Sequence, residues 1–204
     1  LKLPPVEPSI YSAEDWWIVG RWLADGHWHP RGNLVISCGA AKLPDLLTRL
    51  GERAGMVAHG TAEQVNVRDP SGRLRALIAR FGKGAGGKRV PREALSLDTE
   101  KAEALLSGYL SGDGHHVAEI GRWSATSVSR PLLLGMAMVA QRARGSVVSV
   151  YAGRKAGKYV IEGREVDTLD EWVMSIPPSN RSAMLLDDGA WKKVRAITEA
   201  GEEE

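Results

Sequence analysis

The sequence predicts an α+β fold made of two copies of one α-β-β-α-β-β-α unit, and two observations carry that expectation. Residues 16–28 (WWIVGRWLADGHW) and residues 105–117 (LLSGYLSGDGHHV) share one pattern, in which Gly20, Asp25, Gly26 and His27 find Gly108, Asp113, Gly114 and His115, each 88 residues on. Apolar quadruplets at the i, i+3, i+4, i+7 spacing of a helix then follow each copy in the same order. They are Leu43, Leu46, Leu47, Leu50 and Leu74, Leu77, Ile78, Phe81 in the first half, and Leu133, Met136, Ala137, Ala140 and Leu169, Trp172, Val173, Ile176 in the second. Any α/β chain contains such quadruplets singly. Their shared order is what argues for duplication.

Composition sets the bounds. With 204 residues, 43% apolar and 25% charged, the chain can hold one large domain or two small ones sharing a core. A single cysteine, Cys38, excludes an internal disulfide and fits a reducing compartment. No run approaches the roughly 20 apolar residues that span a bilayer, and no segment reads as a signal peptide, so a cytoplasmic, bacterial or phage-like setting without a membrane partner is expected. The net charge is +2, but Glu199, Glu202, Glu203 and Glu204 sit at the end. Residues 80–92 carry Arg80, Lys83, Lys88, Arg89 and Arg92 with no acid. That distribution favours a polyanionic partner more than the total does.

In chain order, residues 1–12 (LKLPPVEPSIYS) read as a proline-rich entry linker. Ser12 is placed to cap a helix with Glu14 and Asp15 in its first turn, and Gly26 to end it. Residues 28–36 read as a strand or hairpin arm broken at Pro30-Arg31-Gly32, followed by the Leu43 helix, which Gly55 is expected to end. Residues 56–59 and 63–68 read as strands, Asp69-Pro70-Ser71-Gly72 as a turn, and the Leu74 set as a short helix. The two halves are bounded at 13–82 and 99–190, with a basic, flexible link at 83–98. In the second half, residues 117–127 read as strand and the Leu133 helix ends at Gly145. Strands at 146–151 and 158–162 follow, and the Leu169 set reads as a last helix.

Small residues at helical spacing, Gly20/Ala24 and Gly108/Gly112, would let the two repeated helices pack backbone to backbone and bring Asp25 and Asp113 together. A carboxylate at a helix C-terminus meets the negative end of the dipole, and two of them side by side call for a cation between them. Alternation on the open sheet faces would project His29, Arg31, Asn33, Gln64, Asn66 and Arg68 from one half. Arg122, Ser124, Thr126, Arg154, Lys155 and Lys158 would project from the other. Arginine, asparagine and glutamine read base edges, and a strand pair fits the major groove of DNA. Solvated sheet positions are the plain alternative. Zinc is not expected, since His27/His29 and His115/His116 lack a cysteine pair or an HExxH pattern. GKGAGGK at 82–88 lacks the form of a phosphate-binding loop.

At residues 18–26 (IVGRWLADG) and 106–114 (LSGYLSGDG) the sequence resembles the LAGLIDADG homing endonucleases, of the two-motif, single-chain kind embedded in inteins. GGKRVP at 86–91 resembles the family's K-x-[IV]-P element, and SATSVSRPLLLGMAMVAQRARGSVVSVYA resembles the run that follows its second motif. The resemblance covers most of residues 13–176. It implies two pseudo-twofold-related units packed through the motif helices, their sheets forming a DNA-binding saddle. It implies Asp25 and Asp113 as metal-binding catalytic acids, with Ala24 and Gly112 as further metal positions, and Lys88 as the basic residue near the scissile phosphate. The cofactor would be Mg2+ or another divalent ion such as Mn2+, while Ca2+ would bind without supporting cleavage. A comparable lysine is usual after the last helix; PPSNRSA offers only Arg181, which departs from the pattern. Residues 191–204 resemble the return to an intein splicing domain, so the chain reads as an endonuclease segment without splicing activity.

The function expected is therefore site-specific, double-strand hydrolysis of DNA by a monomer, leaving short 3′ overhangs. The alternative is a non-cleaving DNA- or RNA-binding descendant, maturase-like or regulatory. Glycoside hydrolysis by the paired acids is disfavoured by the basic loop and polar strand faces.

Overall fold

The computed structural model describes residues 3–58, 63–161, 163–178, 183–186 and 189–192. Two helices form its centre. Helix α1 (Ala13–Asp25) starts at Ser12, whose hydroxyl accepts from the Asp15 N–H at 3.1 Å while the Asp15 carboxylate accepts from the Ser12 N–H at 3.0 Å. It is apolar nearly all round, and Trp16, Ile18, Val19, Trp22 and Leu23 are all buried. A helix of that kind belongs inside a fold. Its counterpart, which we call α5 (Thr99–Asp113), is capped by Asp98 and buries Leu105, Leu106 and Tyr109 completely.

Around α1 the first half adds β1 (Gly26–Trp28), β2 (Leu34–Cys38), α2 (Leu43–Leu50), β3 (Ala54–Ala58), β4 (Glu63–Val67) and α3 (Arg73–Ala79). A single-turn helix, α4 (Arg92–Leu95), leads into α5. The second half continues with β5 (Gly114–Val117), β6 (Arg122–Ser127), α6 (Arg130–Arg144), β7 (Ser149–Ala152), β8 (Gly157–Ile161), β9 (Arg164–Thr168) and β10 (Trp172–Ile176). The two antiparallel sheets have orders β1-β2-β4-β3 and β5-β6-β10-β7. These orders are the same once β10 takes the place of β4. The duplicated α+β architecture is therefore present in the topology itself. Each sheet buries one face in a continuous core, through Leu34, Ile36, Val65 and Val67 in the first half and Ala125, Met174 and Ile176 in the second.

Several sequence expectations change. The Leu169 set is not a helix: Trp172–Ile176 is the central strand β10, paired to β6 and β7, and Leu169 is 64% exposed. Trp172, Met174 and Ile176 alternate with period two, with Met174 and Ile176 fully buried. Pairing on both edges decides such a short apolar run, which periodicity alone leaves ambiguous. Strands β8 and β9 form a separate hairpin inserted between β7 and β10, so residues 158–162 are not the equivalent of β4. Two further strands, β11 (Ala183–Leu186) and β12 (Gly189–Lys192), pair with each other after β10. Only the start of the segment read as strand from Trp191 is described.

Glycine roles also shift. Gly51, with φ 52°, ends α2, while Gly55 lies inside β3 where a Cβ would overlap the Asn66 carbonyl oxygen. Gly51 is therefore the equivalent of Gly145, which ends α6 at φ 61°. Gly26 is extended (φ −87°, ψ 151°) and begins β1 directly; glycine is needed there because a Cβ would run into the Trp22 indole. Residues 117–127 split into β5 and β6 around a turn at Gly121. The proline-rich start packs on the segment that leads into α5, with the Glu7 N–H donating to the Ser96 carbonyl at 2.8 Å. No helix among the described residues is long and apolar enough to cross a membrane.

Candidate functional site

The α1–α5 seam places the two acids. A Cβ on Gly20 would overlap the Leu105 carbonyl oxygen, and one on Gly108 would overlap the Trp17 carbonyl oxygen. Backbones approach this closely only where side chains are absent on both helices. One turn on, Gly112 faces Ala24 and Asp25, its virtual Cβ lying 2.8 Å from Asp25 Oδ2. Asp25 and Asp113 thus end equivalent helices on the same side of the molecule, near enough that the Asp25 charge acts on Asp113.

Three cations converge there. Lys88 is only 6% exposed, so it is not part of a loose basic link. Its Nζ donates to the carbonyls of Trp22 (3.2 Å), Leu23 (2.9 Å) and Gly26 (2.9 Å), capping the end of α1, and lies 4.8 Å from the Trp22 ring centroid. Ser129, the N-cap of α6, donates to the Lys88 carbonyl at 2.6 Å, which ties the residue to the second half. Lys42 Nζ donates to the Gly112 carbonyl at 3.0 Å, so the end of α5 also meets a lysine. Arg21, 2% exposed, pairs with Asp25 one turn away. Beside the seam a cleft is lined by Asp25, His27, Lys83 and Lys88.

Burial, then the Asp25 charge, pushes Asp113 up from 3.8 to about 6, against the pull of Lys88, Arg21 and Lys42. Burial pulls Lys88 down from 10.5 to about 8, although both aspartates favour its charge. Burial and the Asp113 carboxylate raise the Tyr109 hydroxyl well above its ordinary value and keep it protonated. Because the folded state holds the Asp113 proton more tightly than the unfolded chain, Asp113 contributes a loss of stability as pH rises from 3.8 to about 6. Asp113→Asn should therefore gain Tm relative to the wild type across that window, read as the difference between two thermal-melt series. A difference that is flat with pH would mean that Asp113 is neither buried nor held near Asp25.

The acids fit a divalent cation in part. Two carboxylates at negative helix ends are hard oxygen donors of the kind such ions take. Asp25 is already paired with Arg21, and the Gly112 carbonyl, at one of the further metal positions, already accepts from Lys42. No cluster of three or more His, Cys, Asp or Glu able to hold a metal occurs among the described residues.

Of the sheet residues, Gln64 and Asn66 lie on the face of the first sheet opposite Val65 and Val67, paired with Ser37 and Val35, where Val35 is buried and the other three are half-buried. Arg122, Ser124 and Thr126 point to the open face of the second, opposite the buried Ala125. His29, Arg31 and Asn33 instead occupy the turn between β1 and β2, with the His29 N–H donating to the Asn33 carbonyl at 2.9 Å. Arg68 is exposed just past β4. Arg154 and Lys155 lie in the turn after β7, where Arg154 pairs with Glu171 at 3.2 Å, and Lys158 pairs with Glu165 on the inserted hairpin at 3.0 Å. These three stand off the four-stranded sheet because β10 fills the position expected for 158–162. Arg181 lies outside the described residues. His27 and His115, equivalent in the repeats, are exposed and pair with Val35 and Ser124, one residue beyond the glycine that follows each acid.

Sequence reasoning passed over Arg21, Lys42 and Tyr109. Arg21 had a signal, a charge inside an otherwise apolar helix, which is seldom buried without a partner. Lys42 had none.

No protein-family model and no curated protein matches the chain. Among solved structures it is similar to the N-terminal LAGLIDADG domain of DUF199/WhiA, at 12% identity and TM-score 0.47, covering 84% of this chain and 80% of that one.

Proposed function

We propose that this chain binds duplex DNA with its two sheets and hydrolyses phosphodiester bonds as a metal-dependent LAGLIDADG-type endonuclease, in the intein setting its motifs resemble. One observation carries the reading: two acids end equivalent helices across a glycine seam, with a buried lysine held at the same end. A pseudo-twofold protein suits two antiparallel strands, each reached by one acid. Asp25 and Asp113 would hold Mg2+ or Mn2+, which supplies an activated water and neutralises charge on the phosphate. Lys88 would offer a proton or a charge at the scissile oxygen, while the open sheet faces supply base and phosphate contacts.

A second reading, binding without cleavage, is favoured by the Arg21–Asp25 pair, which neutralises one acid without a metal. The test is digestion of a plasmid library of candidate sites with Mg2+, beside an Asp25→Asn, Asp113→Asn double variant. Double-strand cuts by the wild type alone are expected. Specific binding with no cuts would establish the second reading, and no binding to any duplex would overturn both. Affinity should fall steeply between about 50 and 200 mM salt, as phosphate contacts release counterions.

A further inference from the structure

Arg21 and Tyr109 occupy the same place in the two copies, directly after the seam glycine. Both are buried, at 2% and 0% exposure, yet they serve their acids differently. Arg21 Nη1 donates to Asp25 Oδ2, four residues on. The guanidinium also reaches across the seam, since a Cβ on Gly112 would overlap Nη1. Its Nη2 is buried and has no hydrogen-bond partner among the described residues, whereas the buried Tyr109 hydroxyl is turned to the Asp113 carboxylate as a neutral donor. Tyr109 brings no positive charge to Asp113. Among the described residues, Arg21 is therefore the one cation in direct ion pair with either acid, on one side of the pseudo-symmetric site.

We propose that Arg21 is a built-in counter-ion for Asp25, dividing the duplicated acid pair into a self-neutralised half and a half open to a divalent cation. The inference rests on the reading of the two acids as a metal-binding pair. Arginine does not lose its proton, so its charge stays beside Asp25 at every working pH. Surrendering Asp25 to a metal would leave a buried, unpartnered guanidinium, which is strongly unfavourable. Lys88 and Lys42 also act on Asp113, but their ammonium groups are engaged with backbone carbonyls at the ends of α1 and α5 and form no ion pair with it among the described residues. A metal therefore loads through Asp113 first, and on DNA one strand is cut before the other.

The test is calorimetric titration of the full chain with Ca2+, which needs no turnover. Arg21→Met should bind Ca2+ about tenfold more tightly, the scale on which one adjacent charge shifts a carboxylate equilibrium. Arg21→Lys, which keeps the charge, should retain wild-type affinity and separates charge from packing. In the Arg21 background Asp113→Asn should cost more affinity than Asp25→Asn, a comparison that stands even if Arg21→Met does not fold. Equal losses from the two asparagine variants, or equal affinity for wild type and Arg21→Met, would overturn the inference while leaving the metal reading intact. Absence of Ca2+ binding in every protein, Arg21→Met included, would overturn both.

Discussion

Gly108→Val is expected to abolish cooperative folding rather than weaken it. The new Cβ would overlap the Trp17 carbonyl oxygen and lie 2.9 Å from the Trp17 carbonyl carbon and 3.0 Å from the Arg21 nitrogen. All three are backbone atoms of α1, a rigid helix, so no side chain can turn aside. The helices would have to separate along the seam that buries Trp16, Ile18, Leu105 and Tyr109. Overpacking of a core commonly costs about 1–3 kcal/mol where neighbours can adjust. With none able to, a loss above about 4 kcal/mol is expected, a large part of the ~5–15 kcal/mol that holds a domain folded. Gly39→Ala is the control: it is extended at φ −75°, nothing lies near its virtual Cβ, and its effect should stay within about 0.5 kcal/mol. Urea unfolding followed by circular dichroism reads both. A Gly108→Val protein that unfolds like the wild type would refute the close seam, and with it the means by which Asp25 meets Asp113.

Lys88→Met should reduce cleavage by at least about a hundredfold, the usual scale for loss of an acid–base group, while DNA affinity changes little. The side chain is buried, so it contributes little to the surface charge that draws DNA in. Lys88→Arg should not rescue the rate. The three carbonyls of Trp22, Leu23 and Gly26 converge on a single ammonium, and a guanidinium neither matches that cradle nor gives up a proton. Stability supplies an independent readout. The folded state releases the Lys88 proton near 8 and the unfolded chain near 10.5, so the wild type should gain stability over Lys88→Met as pH rises between those values. A rate unaffected by the substitution, with the Tm effect present, would reduce Lys88 to a cap on α1.

The duplicated helices, the Ser12 cap of the first, the glycine contacts and the pairing of the two acids were readable from the sequence by itself, because each shows in the spacing of residues along one repeat. Ser12 and Asp15 form their box within four residues, and Gly20 and Gly108 declare a close approach by lacking a side chain. What needed the tertiary structure was everything decided by partners distant in the chain. Trp172–Ile176 is a strand because β6 and β7 flank it, although its apolar residues also satisfy a helical period. That choice moved Lys158 off the sheet and onto a hairpin. Lys88 looks like one more charge in a glycine-rich loop until the fold carries it to carbonyls more than sixty residues away. Lys42 reaches Gly112 across 70 residues. Helical and strand periods record which face of an element is buried, but not which distant group will meet it there. The charges around Asp25 and Asp113 are of that second kind, and only the packed chain decides them.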